Sequence, residues 1–263
     1  MPKRFENKTY IITGGASLIG LATARTLLAE GGKAVLCDVN EDIRAEVETL
    51  LGDKGTYVTG DVTEDSFLDQ CIAAATETHG GLNGFVNAAV SFDDTLLDTT
   101  RDNWRRALDI NVTSAAMLTQ KAIPHMKAHA GGAIVYIASI SGMRAQPNRV
   151  VYPVTKAALI MLAKTAAVQL ADKGIRVNTV SPGWTWSRNI DKRYGGRERA
   201  DRFAAEFQAL GRLAEPEEIA SAATYLLSEE ASFITGTDLA VDGGYSALGP
   251  EALGQPQKKF PVV

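Results

Sequence analysis

The sequence places a tyrosine and a lysine four residues apart in a stretch with helical periodicity. Tyr152 and Lys156 therefore share one face of a helix predicted over about residues 151 to 172. A lysine ammonium beside a phenol stabilises the phenolate, so the pair can serve as an acid or a base. A free tyrosine titrates near ~10, and lowering that pKa by about 3 units needs roughly 4 kcal/mol. A Tyr-x-x-x-Lys pair alone is common, so its significance depends on the residues around it.

Two further polar residues precede this pair. Ser139 ends the predicted strand GAIVYIAS, thirteen residues before Tyr152. Asn111 lies in the middle of a long helix predicted over about residues 101 to 127. The combination of these four residues with a nucleotide-binding loop, described next, is far less common than the pair alone.

A glycine-rich turn joins the first predicted strand to the first predicted helix. Its sequence is TGGASLIG, residues 13 to 20, and it follows the apolar run KTYIIT. Glycines let the backbone approach a pyrophosphate, and the N–H groups and positive dipole end of the following helix favour its negative charge. The context of strand, turn and helix predicts a dinucleotide-binding loop with Gly14, Ser17, Leu18 and Ile19 at the cofactor. An ordinary glycine-rich turn is the alternative.

Asp38 ends the second predicted strand, eighteen residues after Gly20. A carboxylate at this position accepts the ribose hydroxyls of adenosine and repels a 2′-phosphate. Ser17 and Val39 flank the adenosine end, where an arginine or lysine would be expected to bind that phosphate. NAD is therefore the predicted cofactor. The alternative is that Asp38 caps the helix predicted at residues 41 to 51.

Strand-like and helix-like segments alternate along nearly the whole chain, beginning with KTYIITG and LATARTLLAE. This alternation implies parallel strands joined by right-handed helical crossovers. We therefore predict a doubly wound α/β Rossmann fold with a parallel seven-stranded sheet flanked by helices on both faces. Residues 1–245 are predicted as one domain with a substrate-loop insertion around 184–211, and residues 246–263 as a C-terminal tail.

Composition narrows the classes of partner. The 263 residues are 45% hydrophobic and carry a net charge of −4, with lysine and arginine scattered among acids. Neither a basic stripe for nucleic acid nor a polybasic membrane anchor is present. No signal peptide is recognised and no run is expected to approach the ~20 apolar residues of a spanning helix. We expect a cytosolic protein that acts on a small molecule.

Together these features resemble the short-chain dehydrogenase/reductase family. The resemblance extends over nearly the whole chain, through the loop at residues 13 to 20 and the following positions: Asn87, Asn111, Ser139, Tyr152, Lys156, Pro182-Gly183 and Val241-Asp242-Gly243-Gly244. Few unrelated sequences would show this order and spacing.

The resemblance implies roles for the four candidate catalytic residues. Tyr152 would exchange a proton with the substrate oxygen, and Ser139 would hydrogen-bond to that oxygen. Lys156 would hold the nicotinamide ribose while tuning the tyrosine. Asn111 would hold a water that links the lysine to solvent.

The resemblance also implies cofactor contacts and an assembly. The implied contacts with adenine, the cofactor cleft and the nicotinamide carboxamide come from Asp61, Val62, Asn87, Ala88, Pro182, Gly183, Thr185 and Ser187. A homotetramer is implied, with the helices near 101–127 and 151–172 packed against symmetry mates. The chain departs from the family pattern at Leu18, where glycine is usual, and at Ala88, Val90 and Thr185. The Leu18 side chain is expected to narrow the phosphate loop or to redirect it.

Cations and aromatic residues near the predicted substrate cavity suggest what is bound there. Arg149 precedes Tyr152, and Arg188 and Trp184 lie in the insertion. The planar guanidinium suits a carboxylate, sulfonate or phosphate, and an indole offers an apolar or sugar-stacking surface. These residues and Ser139 and Tyr152 are the predicted substrate contacts, so an anionic substrate is our hypothesis. The alternative is solvated arginines and a core tryptophan.

Three functions remain open from the sequence. The first is an NAD-dependent oxidoreductase that interconverts a secondary alcohol and a ketone on a sugar, polyol or cyclic alcohol. The second is a 3-oxoacyl reductase, although such biosynthetic enzymes more often use NADPH. The third is a dinucleotide-sensing protein without turnover. No metal site is predicted, because His125 and His129 have no third ligand placed to complete one.

Overall fold

Strands and helices alternate along the computed structural model of the chain, which describes residues 3–94, 96–126 and 132–253. Within these ranges the strands are β1 (Thr9–Thr13), β2 (Lys33–Asp38), β3 (Gly55–Thr59), β4 (Gly84–Asn87), β5 (Gly132–Ile137), β6 (Ile175–Pro182) and β7 (Asp238–Val241). The α-helices are α1 (Leu18–Ala29), α2 (Arg44–Leu51), α3 (Asp65–Ala73), α4 (Arg101–Leu108), α5 (Ser114–Ala122), α6 (Val151–Leu170), α7 (Arg188–Tyr194), α8 (Arg197–Ala204) and α9 (Pro216–Leu227).

The seven strands form one parallel sheet in the order β3-β2-β1-β4-β5-β6-β7. This confirms the predicted doubly wound Rossmann fold. The chain order reverses between β1 and β4, which pair in register from Tyr10 with Gly84 to Thr13 with Asn87. Ligands of open α/β sheets bind outside the carboxyl ends of the strands at such a reversal. The predicted cofactor residues follow these same strand ends.

Two apolar layers cover the faces of the sheet. Alternate strand residues point to opposite faces, so Ile11 belongs to one buried cluster and Ile12 to the other. Helices α3, α5 and α6 supply the first layer, through residues such as Phe67, Leu118 and Leu159. Helices α1, α2 and α9 supply the second. Burial on both faces explains why the central strands are apolar throughout.

The predicted long helix at about 101–127 is interrupted. A π-helical turn at Asp109–Thr113 separates α4 from α5, and a 3₁₀ turn follows at Ile123–His125. Lys127 and His129 lie outside the described residues. The π turn carries the buried Asn111, whose side-chain hydrogen bonds are described below. Such turns widen the helix locally and often accompany functional residues.

Helix α6 and the turn after it correct one expectation. Val151–Lys173 is apolar and long enough to cross a membrane by length and composition, although no such run was expected. In this fold one side of the helix packs into the core through Leu159, Ala163 and Ala167. Its apolar composition follows in part from that core position. The C-terminal tail predicted at 246–263 is described only as far as residue 253.

Candidate active site

The turn between β1 and α1 has a backbone that only glycine allows at two positions, because neighbouring backbone atoms approach it closely. Gly14 has φ of +64°, and a Cβ there would lie 2.5 Å from the Ala88 carbonyl oxygen. A Cβ at Gly20 would lie 2.5 Å from the Gly14 oxygen. Ser17 caps α1 by accepting from the Gly20 N–H at 3.0 Å. Leu18 is the first residue of α1, so the helix begins normally despite the leucine.

Asp38 holds this loop rather than a helix end. Its Oδ2 accepts from the Ala16 N–H at 2.9 Å and its Oδ1 accepts from the Asn40 N–H at 3.1 Å. Helix α2 begins at Arg44, and among the described residues no side chain caps it. The alternative interpretation of Asp38 as a cap of that helix is therefore wrong. Each carboxylate oxygen keeps a lone pair for a further donor.

Three other strand ends carry the remaining predicted cofactor contacts. After β3, Asp61 Oδ1 accepts from the Thr63 N–H at 3.0 Å, and Val62 is buried. At the end of β4, Asn87 Oδ1 accepts from Thr13 Oγ1 at 2.9 Å, and Ala88 is buried next to it. Asn87 Nδ2 is buried without a partner among the described residues. An orphan donor beside the glycine loop fits a polar ligand such as a dinucleotide.

After β6, the segment Pro182–Ser187 leads from the sheet into the insertion. A Cβ at Gly183 would lie 2.5 Å from Gln208 Oε1, which also accepts from the Trp184 N–H at 2.6 Å. Thr185 Oγ1 donates to the Gly183 carbonyl at 3.2 Å. Ser187 caps α7 by accepting from the Ile190 N–H at 3.3 Å. This segment is thus fixed by the Thr185 and Ser187 hydroxyls and by the Gln208 side chain.

Trp184 belongs to an aromatic cluster within the insertion. Its ring lies 5.1 Å from that of Phe203 and 5.4 Å from that of Phe207, and it meets Tyr194 edge-on at 6.2 Å. These contacts stabilise α7 and α8. The geometry favours the structural interpretation of Trp184, and substrate contact by this residue stays a prediction.

Tyr152 and Lys156 lie on the first turns of α6, as the spacing predicts. Lys156 Nζ is 5.6 Å from the centre of the Tyr152 ring and donates to the Ile137 carbonyl at 2.7 Å. The lysine is 2% exposed. Because burial disfavours the charged form, the pKa of Lys156 is lowered to about 7. Its charge is therefore sensitive to any group that binds beside it.

Ser139 follows β5 and faces Tyr152. Its Oγ accepts from the Ser141 N–H at 3.1 Å, and the Ser141 hydroxyl donates to Gln146 Oε1 at 2.7 Å. Burial raises the pKa of Tyr152, whereas its hydrogen bond with Ser139 and the charge of Arg149 lower it. The serine is held by Ser141, to whose hydroxyl its own Oγ donates at 3.2 Å.

Asn111 connects three segments of the site. Its Oδ1 accepts from the Ser91 N–H at 2.6 Å, and its Nδ2 donates to the Ser91 carbonyl at 3.1 Å and to Thr155 Oγ1 at 3.0 Å. Thr155 is the neighbour of Lys156 on α6. The side chain of Asn111 therefore fixes the loop after β4 against the helix that carries the tyrosine and lysine.

Two residues of the same loop escaped sequence reasoning. Asp94 Oδ2 accepts from the N–H groups of Val150, Val151 and Tyr152 at 2.7, 2.9 and 3.1 Å. The Phe92 ring stacks on the Tyr152 ring at 5.2 Å. Neither contact has a sequence signal, because residues 56 to 60 positions apart are joined only by folding. Together they place the start of α6 and cover one face of the phenol.

The two arginines predicted to bind substrate lie in different places. The Arg149 guanidinium carbon lies 5.1 Å from the centre of the Tyr152 ring and 5.9 Å from that of Phe92. Arg188 Nη1 donates instead to the Ala16 carbonyl, at 2.8 Å, on the predicted dinucleotide loop. Neither arginine forms an ion pair with a described residue. By contrast, Arg197 of the insertion is neutralised by Asp201 and Glu215.

Comparisons with known proteins give matches over nearly the whole chain. The family model described as enoyl-(acyl carrier protein) reductase matches residues 14–246. Cis-4-hydroxycyclohexanecarboxylate dehydrogenase of Sinomonas cyclohexanicum is 37% identical over 252 residues, which cover 94% of this chain and 100% of the relative. 2-(S)-hydroxypropyl-CoM dehydrogenase 3 of Xanthobacter autotrophicus is 32% identical over 255 residues, with the same coverage of 94% and 100%.

A solved structure shows the same fold. The short-chain dehydrogenase/reductase titled glucose/ribitol dehydrogenase from Brucella melitensis superimposes with a TM-score of 0.85 at 29% identity, over 93% of this chain and 99% of that chain. The family match, the relatives and the geometry agree, so the chain belongs to the short-chain dehydrogenase/reductase family.

Proposed function

We propose that this chain is an NAD(H)-dependent oxidoreductase that interconverts a secondary alcohol and a ketone on a small ring, sugar or polyol substrate bearing an acidic group. The acidic group is inferred from the position of Arg149, whose guanidinium lies beside the Tyr152 ring and forms no ion pair with a described residue. The relatives are dehydrogenases, and the name of one includes a carboxylate on a hydroxylated ring.

Tyr152, Ser139 and Lys156 would supply a proton acceptor, a hydrogen bond and a positive charge beside the reacting oxygen of the substrate. In the oxidative direction the Tyr152 phenolate accepts the proton of the substrate hydroxyl, and the Ser139 hydroxyl orients the substrate oxygen. The Lys156 ammonium favours the phenolate. A bound nicotinamide supplies the hydride acceptor. In the reductive direction the phenol returns its proton to the oxygen of the carbonyl.

Charge at the adenosine end supports NAD over NADP. The Asp38 carboxylate lies at the end of β2 against the glycine loop and would repel a 2′-phosphate. The first cation after it, Arg44, is held by Glu41 and Glu48 and donates to Thr59 Oγ1 at 2.6 Å. Its donors are therefore engaged, and Val39 between them carries no charge.

A matched pair of substrates tests the proposal. We expect NADH formation, and little NADPH formation, from cis-4-hydroxycyclohexanecarboxylate, with cyclohexanol as the neutral partner. Arg149→Gln should lower kcat/KM for the carboxylate by about 10- to 100-fold relative to cyclohexanol, since a charge-assisted hydrogen bond contributes roughly 1.5–3 kcal/mol. The matched control is Arg144→Gln, an exposed arginine whose guanidinium contacts only its neighbour's carbonyl among the described residues.

Three outcomes would contradict parts of this proposal. Equal losses on both substrates would mean that Arg149 acts on Tyr152 and not on the substrate. Turnover of 3-oxoacyl thioesters with NADPH in place of alcohols would favour a biosynthetic reductase. Stoichiometric NAD binding without turnover on any hydroxylated ring, sugar, polyol or hydroxy acid would favour a sensor.

A further inference from the structure

Arg188 joins the insertion to the predicted dinucleotide loop. It is the first residue of α7, and its Nη1 donates to the Ala16 carbonyl at 2.8 Å, a contact between residues 172 positions apart. Ala16 lies in the turn between β1 and α1. The insertion therefore reaches across the carboxyl ends of the strands to the loop where a pyrophosphate would bind.

The Ala16 contact leaves most of the Arg188 guanidinium unused. A guanidinium has five N–H donors, and among the described residues Arg188 has one hydrogen bond, to the Ala16 carbonyl. Two other arginines of the insertion differ, because Arg197 pairs with Asp201 and Arg202 pairs with Glu198. Arg188 is exposed but anchored at the loop through one N–H, and a cation held in this way with donors left over has the chemistry of an anion-binding group.

The surroundings of Ala16 favour a phosphate as that anion. Leu18 and Ile19 lie in the first turn of α1, whose N–H groups have no partner inside the helix. The Ala16 N–H donates to Asp38 Oδ2, so the same residue connects Arg188 to the carboxylate at the adenosine end. Arg149 lies elsewhere, at the Tyr152 ring. These two arginines, neither of which has an ion pair with a described residue, therefore lie at two different places in the site.

We infer that Arg188 binds the pyrophosphate of the dinucleotide and holds the insertion closed over it. This inference rests on the cofactor of the proposed function and changes the role of Arg188 from substrate to cofactor. The guanidinium and the N-terminal turn of α1 would neutralise the diphosphate together. The Ala16 bond positions Arg188 and the start of α7 over the loop before the cofactor arrives.

Ligands truncated at the pyrophosphate test this role through binding alone. We would measure dissociation constants of NADH by fluorescence, and of ADP-ribose and adenosine by competition, for the wild type and Arg188→Gln. Glutamine keeps a donor for the Ala16 carbonyl but removes the charge. We expect NADH and ADP-ribose to bind about 10-fold more weakly, by the same factor, and adenosine to be unaffected.

Two variants complete the experiment. Lys192→Gln removes one positive charge from the exposed side of the same helix and should leave all three affinities unchanged. Arg188→Lys should restore part of the affinity for ADP-ribose.

A loss of affinity that adenosine shares would show that Arg188→Gln distorts the loop and would overturn the inference. If Arg188→Gln leaves the NADH affinity unchanged but raises KM for a carboxylate substrate, Arg188 binds the substrate and the inference is likewise overturned. Failure of the wild type to bind NADH would instead overturn the proposed function.

Discussion

The groups around Tyr152 shift the pKa of its phenol in opposite directions. Burial, to which the stacked Phe92 contributes, raises its pKa, while the Ser139 hydrogen bond and the Arg149 charge lower it. Lys156 adds a charge that depends on conditions, because its own pKa is lowered to about 7. The site therefore combines the Arg149 guanidinium with a lysine whose charge depends on pH, both near the reacting hydroxyl.

Removal of the phenol oxygen tests its role directly. Tyr152→Phe keeps the ring that stacks on Phe92 but removes the group that exchanges the proton. We expect kcat to fall by roughly 10²- to 10⁴-fold while the dissociation constant for NADH changes little. Tyr225→Phe on α9 is the control and should keep full activity. A fall in kcat of less than about 10-fold would exclude Tyr152 as the essential acid or base.

The buried lysine makes stability depend on pH. Its folded pKa of about 7 lies below its ordinary value of 10.5, so the unfolded state binds more protons between these values. The burial penalty is full below about pH 7 and declines as the pH rises. Lys156→Met removes it. Urea unfolding without cofactor should show the variant more stable than the wild type at pH 6.5, and this advantage should shrink by roughly 2 kcal/mol at pH 9. An advantage that is independent of pH would contradict the lowered pKa.

At the scale of elements, the loop after β4 and helix α6 form one unit. Asn111 fixes Ser91 to Thr155, and Asp94 binds three N–H groups at the start of the helix. A carboxylate at a helix N-terminus satisfies orphan donors and complements the helix dipole. The position of Tyr152 thus depends on a loop that precedes it by nearly sixty residues.

Asp94→Ala should loosen this unit. We expect a loss of about 1–2 kcal/mol in the free energy of unfolding, together with a lower kcat at unchanged affinity for NADH, because the first turn of α6 carries the tyrosine. Asp94→Asn keeps one acceptor oxygen and should recover part of the lost stability and part of the lost kcat. Asp93→Ala, at an exposed neighbour with a 3.7 Å ion pair to Arg106, is the matched control. Equal effects of Asp93→Ala and Asp94→Ala would refute the positioning role.

At the scale of the whole molecule, an apolar stripe runs along the outer side of α6. Val154, Met161 and Val168 are 48, 61 and 75% exposed, and their spacing of seven places them along one stripe. Exposed apolar stripes of this kind mark association surfaces. We propose that this stripe packs against a symmetry mate in the homotetramer expected from the family resemblance. A cytosolic location stays a prediction.

A charge within the stripe tests the assembly. Met161→Glu should shift the mass measured by light scattering toward dimers or monomers, because an unpaired carboxylate in an apolar interface is costly. Thr49→Glu introduces the same charge on the exposed surface of α2 and should leave the mass unchanged. A wild-type protein that is monomeric at micromolar concentration would rule out the tetramer.

Local patterns in the sequence were sufficient for the features that are themselves local. The spacing of four places Tyr152 and Lys156 on one helical face, and the strand-turn-helix context identifies the loop around Gly14. Alternating apolar segments predict the parallel sheet, because handed crossovers allow few other arrangements. These predictions depend on periodicity and steric rules that act within a few residues or a single crossover.

Tertiary structure decided the contacts between distant segments. Asp94 meets the start of α6, Arg188 meets Ala16, and Asn111 joins two segments through a π turn that the sequence did not indicate. Arg149 and Arg188 look alike in the sequence, yet they lie beside a phenol and a glycine loop respectively. Their environments differ because chain folding, and not the residue type, determines which donors and charges become neighbours.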